Sequence, residues 1–349
     1  MRITFLIGNG FDLNLGLKTD YKSFYDYYTA LPTSKNDMLA KAIKKDYKFW
    51  SDLEKGLGEY TEHINEDQIE EFIDSKFRLE DALVEYLKTQ QEKIKFLNDD
   101  RLAEELKSML EGFSNEFNTV EKERCKSFIY GFGNKINYSF VTFNYTDVLD
   151  NIIQRYQKNG KQLLKHVAGS TNYNDVVASP LHIHGTLESG LILGVDCEAQ
   201  ITNNLLSSNP ELADYIVKAK LNKELGEKRM DNFSKIIDES RYICLFGLSI
   251  GLTDQTWWKN IVNWLSRDSN RRLVIYKKTG DFKDISAAQS LRRRNQNRIE
   301  FKKQSECSDD VYEKINGQII VINNSPIFKF ESISLNDAEI EETDMKEAN

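Results

Sequence analysis

The stretch Ile3-Thr4-Phe5-Leu6-Ile7-Gly8-Asn9-Gly10-Phe11-Asp12 sets the reading of the whole chain. Ile3 to Ile7 form a short apolar, β-branched run without polar alternation, the pattern of a strand buried on both faces of a parallel sheet. The run breaks at once into Gly8-Asn9-Gly10. Glycine tolerates positive φ and lets a ligand approach the backbone closely. A strand ending in such a loop can aim successive N–H groups at one spot, a natural cradle for phosphate; a plain strand-to-loop turn is the alternative. The spacing departs from G-x-G-x-x-G, so an ordinary dinucleotide fingerprint is absent and the decision moves downstream.

The β signal returns at residues 138–143, ending in Asn144-Tyr145-Thr146-Asp147, and at 242–246, ending in Gly247-Leu248-Ser249-Ile250-Gly251-Leu252-Thr253-Asp254. Residues 163–167, 181–184, 191–194, 272–276 and 318–322 are further short strand candidates. Residues 34–134 read as helical: Ile69, Phe72, Ile73, Phe77, Leu83, Val84 and Leu87 make an amphipathic stripe, and Ser51-x-x-Glu54 and Asn65-x-x-Gln68 read as capping boxes. Thr19 reads as the N-cap of an aromatic helix carrying Tyr21, Phe24, Tyr25 and Tyr28. Helices are also expected over 148–157, 205–240 and 255–265.

The expected fold is therefore α/β, a mostly parallel Rossmann-like sheet flanked by helices, with a large helical insertion after the first strand. Residues 1–33 and 135–330 make the discontinuous sheet domain, 34–134 the helical insertion or cap, and 331–349 an acidic tail expected to be disordered. Ligands of open parallel sheets bind at the carboxyl ends of the strands. Four such ends, at Gly8–Asp12, Asn144–Asp147, His184–Gly185 and Gly247–Asp254, can meet at one cleft.

Charge and cysteine content exclude several classes. Residues 331–349 carry seven acids and one lysine, so −6 of the −8 formal charge sits there and the remainder is nearly neutral. A neutral body argues against a general nucleic-acid coat. The four cysteines, Cys125, Cys197, Cys244 and Cys307, are far apart with no C-x-x-C, which fits neither a zinc site nor a secreted disulfide framework. No apolar run is long enough for a membrane span or a signal peptide, so a soluble, cytoplasmic protein is expected.

Several residues at the strand ends can do chemistry. His184, followed by glycine, can serve as a base on a water or a sugar hydroxyl, whereas His182 reads as a satisfied core histidine. The carboxamide of Asn144 can hold a water or a ribose hydroxyl, or only cap the next helix. Asp12 and Asp254 can meet a ribose hydroxyl or cap, and Asp147 reads as a helix N-cap. Gly247-Leu248-Ser249-Ile250-Gly251 matches the nucleophile elbow G-x-S-x-G, but all four histidines precede residue 249, so the hydrolase order of serine before histidine fails. Arg292, Arg293, Arg294, Arg298, Lys302 and Lys303 form a basic run, either a solvated helix face or a phosphate contact.

The residues Phe5-Leu6-Ile7-Gly8-Asn9-Gly10-Phe11-Asp12 with Gly16, Thr19, Tyr21 and Phe24 resemble the opening of AbiH-type phage abortive-infection proteins. Trp50-Ser51-Asp52-Leu53-Glu54, Thr142-Phe143-Asn144-Tyr145-Thr146-Asp147, His182-Ile183-His184-Gly185 and Phe246 through Asp254 follow in the family's order. More distantly, these blocks resemble the sirtuin-like NAD-binding fold. That resemblance implies Asn144 and His184 as a catalytic pair. It places Gly8, Asn9, Gly10, Asp12, Thr142, Gly185, Gly247, Ser249 and Asp254 around a nucleotide, with no metal. Asn9 stands where sirtuins carry a small residue, Thr146 is inserted before Asp147, and the four-cysteine zinc module has no counterpart. Protein deacylation is thereby disfavoured and hydrolysis of NAD+, as substrate, is the simpler chemistry.

The expected function is an anti-phage effector that cleaves the nicotinamide–ribose bond of NAD+. An NAD- or ADP-ribose-sensing module without turnover is the alternative, and an effector acting on nucleic acid through residues 292–303 is a third. The implied partners are NAD+ or a related nucleotide and a phage-derived trigger or regulatory protein. Self-association into a homo-oligomer stays open, and neither a membrane nor nucleic acid is expected as a partner.

Overall fold

The computed structural model describes residues 1–96, 99–131, 135–158, 164–203, 206–207, 209–225, 228–278 and 286–330. The tail at 331–349, expected to be disordered, lies outside them. The strands are β1 (Arg2–Ile7), β2 (Asn137–Thr142), β3 (Lys165–Ala168), β4 (Thr171–Asn174), β5 (Val176–Val177), β6 (Leu181–His182), β7 (Gly185–Thr186), β8 (Gly190–Leu191), β9 (Ser240–Phe246), β10 (Arg272–Lys277) and β11 (Ile319–Asn323). Seven of them form one sheet in the order β11-β10-β9-β1-β2-β5, with β6 also paired to β2. Every pairing in it is parallel.

The expected α/β architecture is present, and its physical basis is the two-sided burial of β1. Ile3, Phe5 and Ile7 enter one apolar layer with Leu102, Leu106, Phe113, Phe140, Ile152 and Phe328, while Leu6 enters the opposite layer with Val141, Ile243, Trp258, Ile261 and Ile275. Successive strand residues point to opposite faces, so a strand covered on both sides must be apolar throughout. Three strand expectations change, one of them at 191–194, where only Leu191 lies in a strand, β8. The stretch near 163–167 forms β3, an antiparallel hairpin with β4 outside the main sheet, because its side chains alternate exposed and buried. The strand expected over 181–184 stops at His182, and the chain turns into the β7–β8 hairpin.

The long segment between β1 and β2 is helical in its described residues but divides between two cores. Helices Asp99–Gly112 and Thr119–Gly131 supply Leu102, Leu106, Leu110 and Cys125 to the layer covering the sheet. Most of the residues before them, from Phe24 to Leu87, belong to a second core, where Phe24, Tyr28, Leu39, Trp50, Leu57, Phe72 and Leu83 pack with Leu193, Val195, Leu212 and Ile216, while Phe11, Leu15, Leu17 and Ile94 stay with the sheet layer. This second lobe is therefore built from two stretches far apart in sequence. Two helix starts differ by one residue from expectation. Asp20 rather than Thr19 accepts Ser23 N–H at 3.0 Å, and Asp52 rather than Ser51 accepts Lys55 N–H at 3.1 Å. The carboxylate makes the stronger, charge-assisted bond at an N-cap. At Asn65-x-x-Gln68 the Gln68 side chain does accept Asn65 N–H, at 3.1 Å.

Candidate active site

Register brings the functional loops level. Ile7 of β1 lies opposite Thr142 of β2 and Phe246 of β9, and Thr142 lies opposite His182 of β6. From β1 the chain builds outward on one side through β2, then returns to the other side for β9, β10 and β11. The carboxyl end of β1 is thus the switch point of the sheet, where such folds leave a crevice. A cavity of about 980 Å³ opens there between the sheet and the second lobe, at the large end of the range for small-molecule sites. Gly8, Asn9, Asp12, Asn144, His184, Gly247, Ser249 and Asp254 line it; Gly10, Thr142 and Gly185 do not.

The glycines of the first loop serve packing rather than phosphate. Gly247 has φ +66°, and a Cβ there would lie 2.8 Å from Gly10 Cα. A Cβ on Gly10 would lie 2.5 Å from Gly247 Cα, so the loops after β1 and β9 touch backbone to backbone. The N–H groups are spent in the process: Gly8 donates to Phe246 O, Gly10 to Gly247 O and Phe11 to Gly8 O, each at 2.9 Å. The expected N–H cradle for phosphate loses those donors. Asn9 is used locally as well, donating from Nδ2 to Thr19 O at 2.9 Å. Gly185, at φ +79°, turns the chain into the β7–β8 hairpin, where a Cβ would fall 2.0 Å from Gly190 O.

Asp12, Asn144 and Thr146 form one cluster. Asn144 Nδ2 donates to Asp12 Oδ1 at 3.1 Å and to Gly8 O at 3.3 Å, and the Thr146 hydroxyl donates to Asp12 Oδ2 at 2.6 Å. Thr142 supports it from below, accepting Asn144 N–H at 3.1 Å. Burial pushes the Asp12 carboxyl up to about 7, only partly opposed by the Thr146 and Asn144 hydrogen bonds. Thr146 is thus a working part of the cluster.

A second cluster surrounds Asp254. Lys218 Nζ lies 3.0 Å from Asp254 Oδ1 and 2.7 Å from Glu54 Oε2, and it donates to Thr253 O at 3.0 Å. His184 Nε2 lies 3.0 Å from Asp254 Oδ1 without hydrogen-bonding alignment, and that buried nitrogen has no other hydrogen-bond partner. Burial alone would raise Asp254, but Lys218 and His184 overcome it and hold the carboxyl well below the usual carboxylate range. Burial, reinforced by Asp254, pushes Glu54 up to about 8 despite Lys218. Burial, aided by Lys218, lowers His184, which keeps the imidazole neutral at pH 7.

The two histidines have separate work. His182 is satisfied at both nitrogens, by Asn144 O at 3.1 Å and Asp150 Oδ2 at 2.8 Å, whereas His184 packs edge-on against Phe143. Ser249 is exposed on the cavity wall. The basic run lies on helix Ala287–Gln304, where Arg298 Nε donates to Ile319 O at 2.9 Å, and none of its residues lines the cavity.

Sequence reasoning missed Lys218 and left Glu54 as a cap. Lys218 looks like Lys220 and Lys223 in the same charged segment, and no local pattern sets it apart. Glu54 carried a signal, since an acid beside Trp50 and Leu53 on the buried side of a helix needs a partner. Among the described residues no cluster suits a metal ion, and no helix is long and apolar enough to cross a membrane. No curated protein matches the sequence. The family model described as bacteriophage abortive infection AbiH matches residues 4–276, a span that runs from within β1 to within β10 and includes every residue of both clusters. On that match, over most of its length, the chain belongs to the AbiH family of bacteriophage abortive infection proteins.

Proposed function

We propose that the strand-end cleft hydrolyses the nicotinamide–ribose bond of NAD+, in the manner of a sirtuin-like fold stripped of deacylation, and that this is the abortive-infection activity. The observation that carries the reading is His184: a buried, neutral imidazole whose Nε2 lies 3.0 Å from an ionised Asp254, on the same cavity as Asn144. Breaking the glycosidic bond develops positive charge on the ribose while nicotinamide leaves neutral. The site needs to hold the sugar, place a water and take up one proton. Water supplies its oxygen to the ribose anomeric carbon, nicotinamide departs with the bonding pair, and His184 accepts the water's proton, directly or through a ribose hydroxyl. Asp254 stabilises the resulting imidazolium across 3.0 Å.

The cavity chemistry agrees with a ligand whose reactive end is cationic, since Asp20, Asp26, Asp52 and the ionised Asp254 line it. Tyr21, Tyr25 and Tyr47 offer flat apolar faces for a base on the second-lobe side. With the Gly8, Gly10 and Phe11 N–H groups committed, the phosphates fall to Lys22 and Lys48 at the wall. The test is purified protein incubated with NAD+, followed by chromatography. Free nicotinamide and ADP-ribose in equal amounts are expected; stoichiometric binding without nicotinamide release would leave a sensing module instead.

A further inference from the structure

We propose that Asp12 is a positioning residue that fixes the carboxamide of Asn144 with its Nδ2 turned away from the cavity and its Oδ1 presented as the site's acceptor. Asn144 has two N–H hydrogens and two fixed acceptors for them, Gly8 O and Asp12 Oδ1, at 3.3 and 3.1 Å. The Gly8 carbonyl cannot donate, and an ionised Asp12 cannot either, so the amide has one orientation compatible with both. Thr146 in turn pins the other Asp12 oxygen at 2.6 Å, leaving that carboxylate no freedom to rotate. Asn144 lines the cavity, and no described residue donates to its Oδ1.

The consequence is selectivity by dipole direction. An outward carbonyl oxygen accepts from a hydroxyl or a water, and it sets the negative end of the amide dipole toward a developing cation. A flipped amide would present N–H groups to the same place, donating to the hydroxyl or water instead of accepting from it and turning the positive end of the dipole toward the cation. Asp12 itself is buried behind Asn144, with both oxygens engaged, so it acts through the amide rather than on the ligand. The ionisable groups facing Asp12 are Asp147 from the loop after β2 and His182 from β6. Protonation of Asp12 would leave one carbonyl oxygen as acceptor but turn a charge-assisted bond into a weaker neutral one, which gives the arrangement a pH signature near neutrality.

The inference rests on the reading of Asn144 as the residue that holds the water or ribose hydroxyl, and two measurements separate the two ideas. The first needs no activity. In a proton–nitrogen correlation spectrum of protein labelled with nitrogen-15 asparagine, the side-chain NH2 pair of Asn144 is identified by its absence in Asn144→Ala. That pair is expected to move as pH passes through about 7 in the wild-type protein, to shift in Asp12→Ala, and to lie nearer its wild-type position in Asp12→Asn, which retains one acceptor oxygen. A pair that ignores both pH and Asp12→Ala overturns the proposal, and the wild-type titration decides it even if Asp12→Ala does not fold. The second is steady-state cleavage of NAD+. Asp12→Ala is expected to lower kcat about ten- to hundred-fold, roughly one lost interaction made in the transition state, with KM little changed. Asp12→Asn should recover part of that loss. A loss confined to KM, or an unaltered kcat, overturns the positioning role, whereas absence of cleavage by the wild-type protein overturns the hydrolase reading and leaves the spectroscopic result standing.

Discussion

Two carboxylates at neighbouring strand ends behave oppositely. Asp12, after β1, is 1% exposed and is held by an amide and a hydroxyl; its carboxyl rises to about 7. Asp254, after β9, keeps 15% of its side chain exposed and faces Lys218 and His184; its carboxyl falls below the usual range. Burial raises both, and the modest difference in exposure does not reverse a sign. The partners do: neutral donors stabilise the anion too weakly to cancel desolvation, whereas a cation at 3.0 Å overcomes it. The cleft therefore holds one side tuned to sit near its own titration and another locked in charge. The first suits orientation of a dipole and the second suits proton acceptance by the adjacent imidazole.

The largest effects that sharpen this comparison are catalytic. His184→Ala and Asn144→Ala, one from each side, are each expected to lower NAD+ cleavage by about 10²–10⁴-fold with folding preserved. The double variant should lose little more than either single one, because residues acting in one step are strongly non-additive. His182→Ala, which removes a group already satisfied at both nitrogens, should act on stability and leave most of the rate. Nicotinamide release at the wild-type rate by a folded His184→Ala protein would break the assignment of the locked side.

Next in size is Lys218→Met. It leaves Glu54 and Asp254 facing each other without their cation, and an uncompensated buried charge typically costs about 3–5 kcal/mol. The wild-type Asp254 carboxyl is depressed, so its contribution is present above the ordinary carboxylate value and is lost as pH falls through the lower folded one. In the variant both carboxyls must hold protons, so its deficit should grow from pH 5 to pH 8. Thermal melts at the two pH values measure it, and equal Tm values for variant and wild type at pH 8 would remove the claim.

Asp12→Asn probes the other side with the opposite sign. A folded Asp12 keeps its proton up to about 7, whereas the unfolded chain releases it near the ordinary carboxylate value. Between those values the folded state binds more protons, and this group's contribution to stability falls as pH rises. A shift of that size corresponds to about 4 kcal/mol at full ionisation. The variant does not titrate there, so its melting temperature should gain on the wild type between pH 5 and pH 8. A difference between the two that is flat over that range would show that Asp12 does not titrate between those values.

The smallest expected effect concerns how the second lobe grips the locked side. Asp196 Oδ2 accepts from Thr256 N at 2.9 Å and from its hydroxyl at 2.7 Å, at the start of the helix that follows Asp254. Gln200 Nε2 donates to Leu252 O at 2.8 Å in the same loop. Asp196→Ala should cost about 1 kcal/mol, the usual worth of an N-cap, here supplied from a distant segment. Denaturant midpoints at fixed slope measure it, and a neutral result would show that Gln200 and Lys218 suffice.

Much of this molecule was legible from local pattern. Ile3–Ile7, the run ending at Phe143 and the run ending at Phe246 announced buried parallel strands, since a strand covered on both faces has no place for polar alternation. The glycine and polar loops after them marked the carboxyl edge, and that edge is where Asn144, His184 and Asp254 gather. Pairing was beyond local reading: β3 left the sheet for a hairpin, and the segment after β1 split between two cores. Tertiary contact alone decided the chemistry. Gly8 and Gly10 came to pack against the β9 loop instead of offering donors to a phosphate, and Lys218 joined Glu54 and Asp254 across 164 and 36 residues of chain. Strand identity follows from side chains within one short run. A pKa or a hydrogen-bond orientation follows from whichever distant groups the fold brings within 3 Å, and no window of sequence contains them.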